Sequence, residues 1–266
     1  SKLNTFTIGT NDKLNEAVNA KKIADYFNTN HRELYCTSDE AKNVVEELAF
    51  IYDEPFADIS AIPTILVSRL AKKDVTVSLS ADGGDEIFAG YNIYRTFIKN
   101  LNQISFLRKY FKIPMIYLSD LLLRILKGSS YLHYKIEIMN TCLKCSRIEI
   151  RRILFKSYFF KNKKLIEKMV NGVKTVHKTK FDDINVEIKD DLDYVQYIDY
   201  TTYLSGNIMT KVDRASMSTS LEGREPMLDH RIIEFLANLP RSYKFTKNIQ
   251  KKILKDIVHR YIPSEL

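Results

Sequence analysis

The chain has 266 residues, 45% of them hydrophobic and 28% charged, enough for one large α/β domain or two modest ones. No apolar run reaches the length of a membrane span, no stretch reads as a signal peptide, and three scattered cysteines argue against a secreted disulfide framework, so the expected compartment is the cytoplasm. The net charge of +8 is uneven: residues 95–180 hold 20 lysines and arginines against 4 acidic residues, and the remainder is acidic.

Residues 3–9, LNTFTIG, predict a strand entering a loop. Residues 15–27 predict an amphipathic helix with Val18, Ile23, Ala24 and Phe27 on its inner face. Leu34-Tyr35-Cys36 predicts another short strand, and Ser38 or Asp39 can cap a helix running through Tyr52. After the break at Asp53-Glu54-Pro55, Ser60 leads into a helix over 62–72 with Pro63 in its first turn. Residues 75–80 are apolar or β-branched at nearly every position and predict a short buried strand. The alternation argues for an α/β fold with a parallel, doubly wound sheet.

The strand is followed by the turn Ala81-Asp82-Gly83-Gly84 and by Asp85-Glu86 ahead of Ile87 and Phe88. Three carboxylates thereby stand at the carboxyl end of a strand, the edge where open α/β sheets bind ligands. Two adjacent glycines let the backbone approach a phosphate, and free N–H groups there hold an anion. Carboxylates in the same turn repel a bare polyphosphate, so the joint reading is a phosphate carried with Mg²⁺. The alternative is an Asp-Gly-Gly turn whose acids only cap a helix.

From Arg95 onward the pattern is helix after helix. Residues 118–126 are strongly apolar, Gly128-Ser129-Ser130 predicts a turn, 147–170 a basic helix, and 181–193 are acidic. A helical stretch over 194–218 is interrupted by Glu222-Gly223-Arg224-Glu225-Pro226, after which Asp229 caps a helix over 231–239 and a last helix spans 251–261. Glu222 with Arg224 reads as a structural ion pair, and Asp213 with Arg214 as members of intrahelical or interhelical pairs. Cys142 and Cys145 form a CxxC with no second pair at zinc spacing, which favours plain thiols. The expected division is 1–94 as the nucleotide-binding portion, 95–180 as a basic helical insertion and 181–266 as a helical completion. Basic residues interleaved with aromatics, as in Phe106-Leu107-Arg108-Lys109-Tyr110-Phe111, suit RNA, an anionic surface or simply a solvated face.

Four stretches together carry a resemblance: Phe6-Thr7-Ile8-Gly9; Asp53-Glu54-Pro55 with Ser60-Ala61-Ile62-Pro63; residues 75–91; and Asp213-Arg214-Ala215-Ser216-Met217 with residues 221–229. In order and spacing they resemble the C-terminal synthetase domain of glutamine-dependent asparagine synthetases, whose relatives include β-lactam synthetases and amidotransferases of antibiotic and surface-polysaccharide pathways. The resemblance implies an adenine nucleotide α-hydrolase-like fold, ATP and Mg²⁺ as cofactors, and a carboxylate activated as an acyl-adenylate before ammonia displaces AMP. It implies that Ile8, Ser80, Ala81 and Gly83 contact the nucleotide and that Asp85 is the Mg²⁺–pyrophosphate ligand. Asp82 stands where the family has a glutamate tied to adenylation and amine handling, and Tyr91 lines the acyl pocket. The shorter Asp82 points away from aspartate as the certain substrate. Implied partners are aspartate or another carboxylate, ammonia from a glutaminase domain, and a second copy in a homodimer, with neither membrane nor nucleic acid. The family's phosphate loop, Ser-Gly-Gly-x-Asp-Ser, occurs nowhere in this sequence, nor does its Lys-x-Gly-Phe-like segment. The expectation is therefore an internal part of a longer synthetase, inactive by itself.

Overall fold

The computed structural model describes residues 2–10, 15–126, 131–159, 186–246 and 249–266. They divide into two units, one built from residues 1–89 and 200–266 and the other from 90–199.

In the first unit, β1 (Asn4–Gly9) and β2 (Asn30–Tyr35) pair in parallel, from Asn4 opposite Asn30 to Gly9 opposite Tyr35. The crossover between them is α1 (Ala17–Tyr26), which buries Ala17 and Ala24. The expected inner face is only partly right, because Val18 and Phe27 are 54% and 50% exposed. A methyl at Gly9 would stand 2.7 Å from the Tyr35 ring and 3.1 Å from the Ala17 Cβ, so glycine fits there without displacing a neighbour.

Helix α2 (Ser38–Val45) is capped one residue earlier than expected, by Thr37. Its side chain accepts from the Glu40 amide at 3.2 Å while the Glu40 carboxylate accepts from the Thr37 amide at 2.9 Å, a reciprocal capping box. The helix stops at Val45, and α3 (Leu48–Tyr52) is a separate turn ending on left-handed Asp53. Helix α4 (Ala61–Lys72) follows with Pro63 in its first turn. Val44, Tyr52, Ala61, Ile65, Leu66 and Ala215 form a core against which Ile8 and Leu34 pack.

Strand β3 (Val77–Leu79) is shorter and less covered than the sequence suggests, with Leu79 72% exposed. Its partner, β4 (Glu222–Arg224), runs parallel to it in the segment expected merely to interrupt helices. The α/β class and the parallel pairing hold. Among the described residues, however, the strands form two separate parallel pairs rather than one continuous doubly wound sheet.

After the single turn α5 (Gly84–Ile87), the chain leaves for the second unit and returns through a wide helical segment, Tyr200–Ile208, into α10 (Met209–Met217). A tight turn at Pro226–Leu228 precedes α11 (His230–Asn238), whose cap is Asp229, as expected: its carboxylate accepts from the Arg231 amide at 2.9 Å. Short α12 (Arg241–Lys244) and α13 (Lys252–Val258) complete the unit.

The second unit consists of α6 (Asn92–Ile125), α7 (Tyr131–Lys144), α8 (Arg147–Phe159) and α9 (Asp191–Asp199). Tyr94, Phe97, Leu101, Leu143, Ile150, Phe155 and Leu192 are fully buried. Arg151 is buried too. Its guanidinium donates to Asp191 and to the carbonyls of Ile188 and Lys189, each at 2.7 Å, so the charge enters the interior fully paired. Cys142 is packed inside, where burial pushes its thiol up to about 12, with Cys145 adding to the effect. The expected Gly128-Ser129-Ser130 turn and residues 160–170 of the basic helix lie outside the described residues.

Candidate functional site

The parallel pairing of β3 with β4 carries two chain segments out at the same carboxyl edge. The Ser80 amide extends the ladder to the Arg224 carbonyl at 3.0 Å. Beyond it the chain turns, and Ser80 Oγ donates to Asp82 Oδ2 at 2.7 Å while accepting from the Asp82 amide at 3.3 Å. This local exchange fixes Asp82 over its own turn. Gly84 N–H closes the turn onto the Ala81 carbonyl at 3.1 Å.

Gly83 makes this turn possible for two reasons. Its φ of +84° lies in the left-handed region, and an added Cβ would stand 2.2 Å from Leu228 Cδ2. The segment after β4 thus packs directly onto the loop after β3. Asp85 sits in the first turn of α5, half exposed, and Lys251 Nζ approaches its Oδ1 at 2.8 Å. Lys251 itself has a left-handed backbone at the start of α13.

Glu225, missed by the sequence reading, leaves β4 beside this loop. Burial pushes its carboxyl up, and the charges of Asp82 and Asp213 push it further. Gly223 leaves room for it, since a Cβ there would come within 3.1 Å of Glu225 Oε1. The available signal was its place in the stretch Glu222-Gly223-Arg224-Glu225-Pro226, which breaks the run of helices. Glu222 and Arg224 form an exposed ion pair at 2.7 Å, as expected of a structural role.

A second polar constellation surrounds the loop before α4. Asp58 Oδ1 accepts from the Ser60 amide at 2.8 Å and from Ser60 Oγ at 2.6 Å, and Oδ2 accepts from Asn207 Nδ2 at 2.6 Å. Buried Lys211 donates to Ser60 Oγ at 2.8 Å and lies 3.8 Å from Asp58. Burial raises the Asp58 carboxyl, but the hydrogen bonds from Ser60 and Asn207 and the Lys211 charge outweigh it, and the net shift is downward. Tyr52, whose hydroxyl donates to the Lys211 carbonyl at 3.4 Å, is pushed up to about 12 by burial and by Asp58. Arg214 pairs with Asp53, so the expected pairing is between elements rather than within α10. Adjacent side chains on a helix point apart, which keeps Asp213 from serving as that partner.

The loop therefore gathers Ser80, Ala81, Asp82, Gly83 and Asp85. Ile8 belongs to the β1–β2 pair, and its side chain packs against the core. Tyr91 stands immediately before α6 in the second unit, its ring edge-on to Tyr94 at 5.7 Å. No three His, Cys, Asp or Glu side chains among the described residues converge as a metal cage. A half-exposed carboxylate such as Asp85 nevertheless suits Mg²⁺ bound mainly through substrate phosphates and water, which needs only one or two protein carboxylates.

Comparison with known proteins gives a consistent result. The sequence model of the asparagine synthase family matches residues 1–266. Asparagine synthetase [glutamine-hydrolyzing] 1 of Bacillus subtilis is 28% identical over 269 residues, covering 99% of this chain and 41% of the relative. Asparagine synthetase [glutamine-hydrolyzing] 3 of the same organism is 24% identical over 92% of this chain and 34% of its own length. Asparagine synthetase [glutamine-hydrolyzing] 2 of Oryza sativa is 40% identical over 96 residues, 34% of this chain and 16% of the relative. The chain spans about two fifths of the length of the first of these relatives. Matched along its whole length, and carrying the glycine turn at the carboxyl edge of a parallel strand pair, the chain belongs to the asparagine synthase family.

Proposed function

We propose that this chain is the core of the synthetase portion of a glutamine-dependent, amide-forming ligase. In this reading ATP activates the side-chain carboxylate of aspartate as an acyl-adenylate, pyrophosphate leaves, and ammonia from a glutaminase domain displaces AMP. The observation that carries the reading is the Ser80–Asp85 loop, held by Gly83 at the carboxyl edge of β3 and β4.

Ser80, Ala81 and Gly83 present backbone and hydroxyl to the nucleotide, with Ile8 reading adenine. Asp82, oriented by Ser80 Oγ, faces the reacting acyl group and the incoming amine, and Tyr91 lines the acyl pocket. Asp85 would hold Mg²⁺, which when bound neutralises charge developing on the departing pyrophosphate. Lys251 adds a cation at that carboxylate. The complete reaction belongs to the full-length protein, a cytoplasmic enzyme and a homodimer in this reading, and the 266-residue chain assayed alone forms no amide.

A second reading shares the chemistry but changes the substrate. Asp82 is one methylene shorter than the family's glutamate and is tied down by Ser80 at 2.7 Å, which favours a different carboxylate in surface-polysaccharide or secondary-metabolite synthesis. ATP–pyrophosphate exchange with Mg²⁺ separates the two. Exchange by the full-length protein with aspartate supports the first reading. Exchange only with other carboxylates supports the second, and exchange with none refutes both.

A further inference from the structure

Asp85, the carboxylate read above as the Mg²⁺ ligand, already has a partner. Lys251 Nζ lies 2.8 Å from its Oδ1, and the two side chains are 30% and 38% exposed. Apolar packing delivers the ammonium there. Ile253 and Leu254 of α13 lie against the cluster of Ile87, Phe88 and Leu236, and Ile87 and Phe88 follow directly on Asp85-Glu86. The start of α13 is thereby pinned beside the turn that carries Asp85. The next cation along is committed elsewhere, since Lys252 Nζ donates to Asp256 at 2.7 Å.

Fold stability does not account for the contact. Lys251 has φ of +52°, a left-handed backbone that an L-residue adopts only where its surroundings hold it. An ion pair this open to water stabilises a fold by less than such a backbone costs. The corner also carries donors to spare. The Lys251 ammonium has three N–H groups, and one residue earlier Gln250 Nε2 is enclosed with no acceptor among the described residues. Spare donors next to a carboxylate suit an anion that arrives with its own cation.

We propose that Lys251 is an exchangeable counter-ion for Asp85. It holds the carboxylate in the resting protein and turns its ammonium to the phosphate when a divalent cation–polyphosphate complex arrives. The inference rests on the reading of Asp85 as the metal ligand. Like-charge repulsion disfavours an ammonium and a divalent ion on one carboxylate. The flexible four-carbon stem lets Nζ swing away while Ile253 and Leu254 stay packed. A cation arriving alone leaves that ammonium without a new partner, whereas one that brings a phosphate supplies it. Lys251 thus suppresses metal binding without nucleotide and favours the two together.

The test follows Mn²⁺ binding to the full-length protein through the electron paramagnetic resonance signal of the free ion, with and without inorganic pyrophosphate. Lys251→Met should bind Mn²⁺ alone about tenfold more tightly than the parent, the scale of the repulsion removed at a half-hydrated carboxylate. With pyrophosphate present the order should reverse, the variant binding about tenfold more weakly because a charge-assisted contact is gone. Lys251→Arg, which keeps the charge, should follow the parent in both titrations. If Lys251→Met does not fold, Lys251→Gln is read in the same way. Unchanged affinity in either titration, the result if the pair only braces α13, would overturn the proposal, as would weaker binding in both. Asp85→Asn separates this outcome from the adenylation reading. Loss of Mn²⁺ binding in that variant leaves the metal-ligand reading standing whatever Lys251 does, and undiminished binding refutes both.

Discussion

Replacing Gly83 by alanine tests the architecture of the candidate site directly. The backbone there has φ of +84°, and a left-handed conformation costs an L-residue about 1–2 kcal/mol. The new methyl would also stand 2.2 Å from Leu228 Cδ2 and 2.7 Å from Cγ, an overlap that must push Leu228 aside. Overpacking of this kind costs about 1–3 kcal/mol, and the flexible side chain places it toward the lower end. A total near 3 kcal/mol lowers the midpoint of thermal unfolding by roughly 6–12 °C for a protein of this size. The neighbouring glycine is the control. A Cβ at Gly84 meets nothing nearer than Met227 Cγ at 4.0 Å, so Gly84→Ala should be neutral or slightly stabilising. Combining Gly83→Ala with Leu228→Ala removes the steric part, and the two penalties should add to less than their sum. Circular dichroism melts of the four variants give the answer. Equal melting of Gly83→Ala and Gly84→Ala would refute both the turn geometry and the packing of Leu228 on it.

Other consequences follow from the polar groups around this loop. Burial and the charges of Asp82 and Asp213 raise the Glu225 carboxyl, so the folded state holds its proton more tightly than the unfolded chain. The stability this contributes is complete below the ordinary value of 4.5 and is lost as pH rises through the raised one. Glu225→Gln should therefore melt above the parent protein at neutral pH and show no advantage in acid; a constant difference across pH would contradict the assignment. Lys211→Met leaves Asp58 without its buried cation and should cost about 3–5 kcal/mol in denaturant unfolding. Adding Asp58→Asn should return part of it, and strict additivity would argue against the pair. Thr37→Ala, which opens the capping box of α2, should cost about 1 kcal/mol, while Ser38→Ala should cost almost nothing.

Local sequence determined much of the local structure. The strand expected over residues 3–9, the Asp229 cap and the Pro63 first turn each act through neighbours a few positions away, and each stands where the sequence placed it. The Ala81-Asp82-Gly83-Gly84 turn is of the same kind, since only glycine is comfortable at φ of +84°. The four-part motif set also marked the family, because its order survives however the chain folds. Tertiary contacts decided the rest. Val18 and Phe27 face outward, and the side chains that α1 buries are the small Ala17 and Ala24. Strand β4 is three residues long and unremarkable by composition, and it exists because β3 supplies the hydrogen-bond partners. Glu225, Lys211 and Lys251 take their places beside Asp82, Ser60 and Asp85 from residues 143 to 166 positions away in the chain. Electrostatic coupling depends on distance through space, and no pattern along a single chain records that distance.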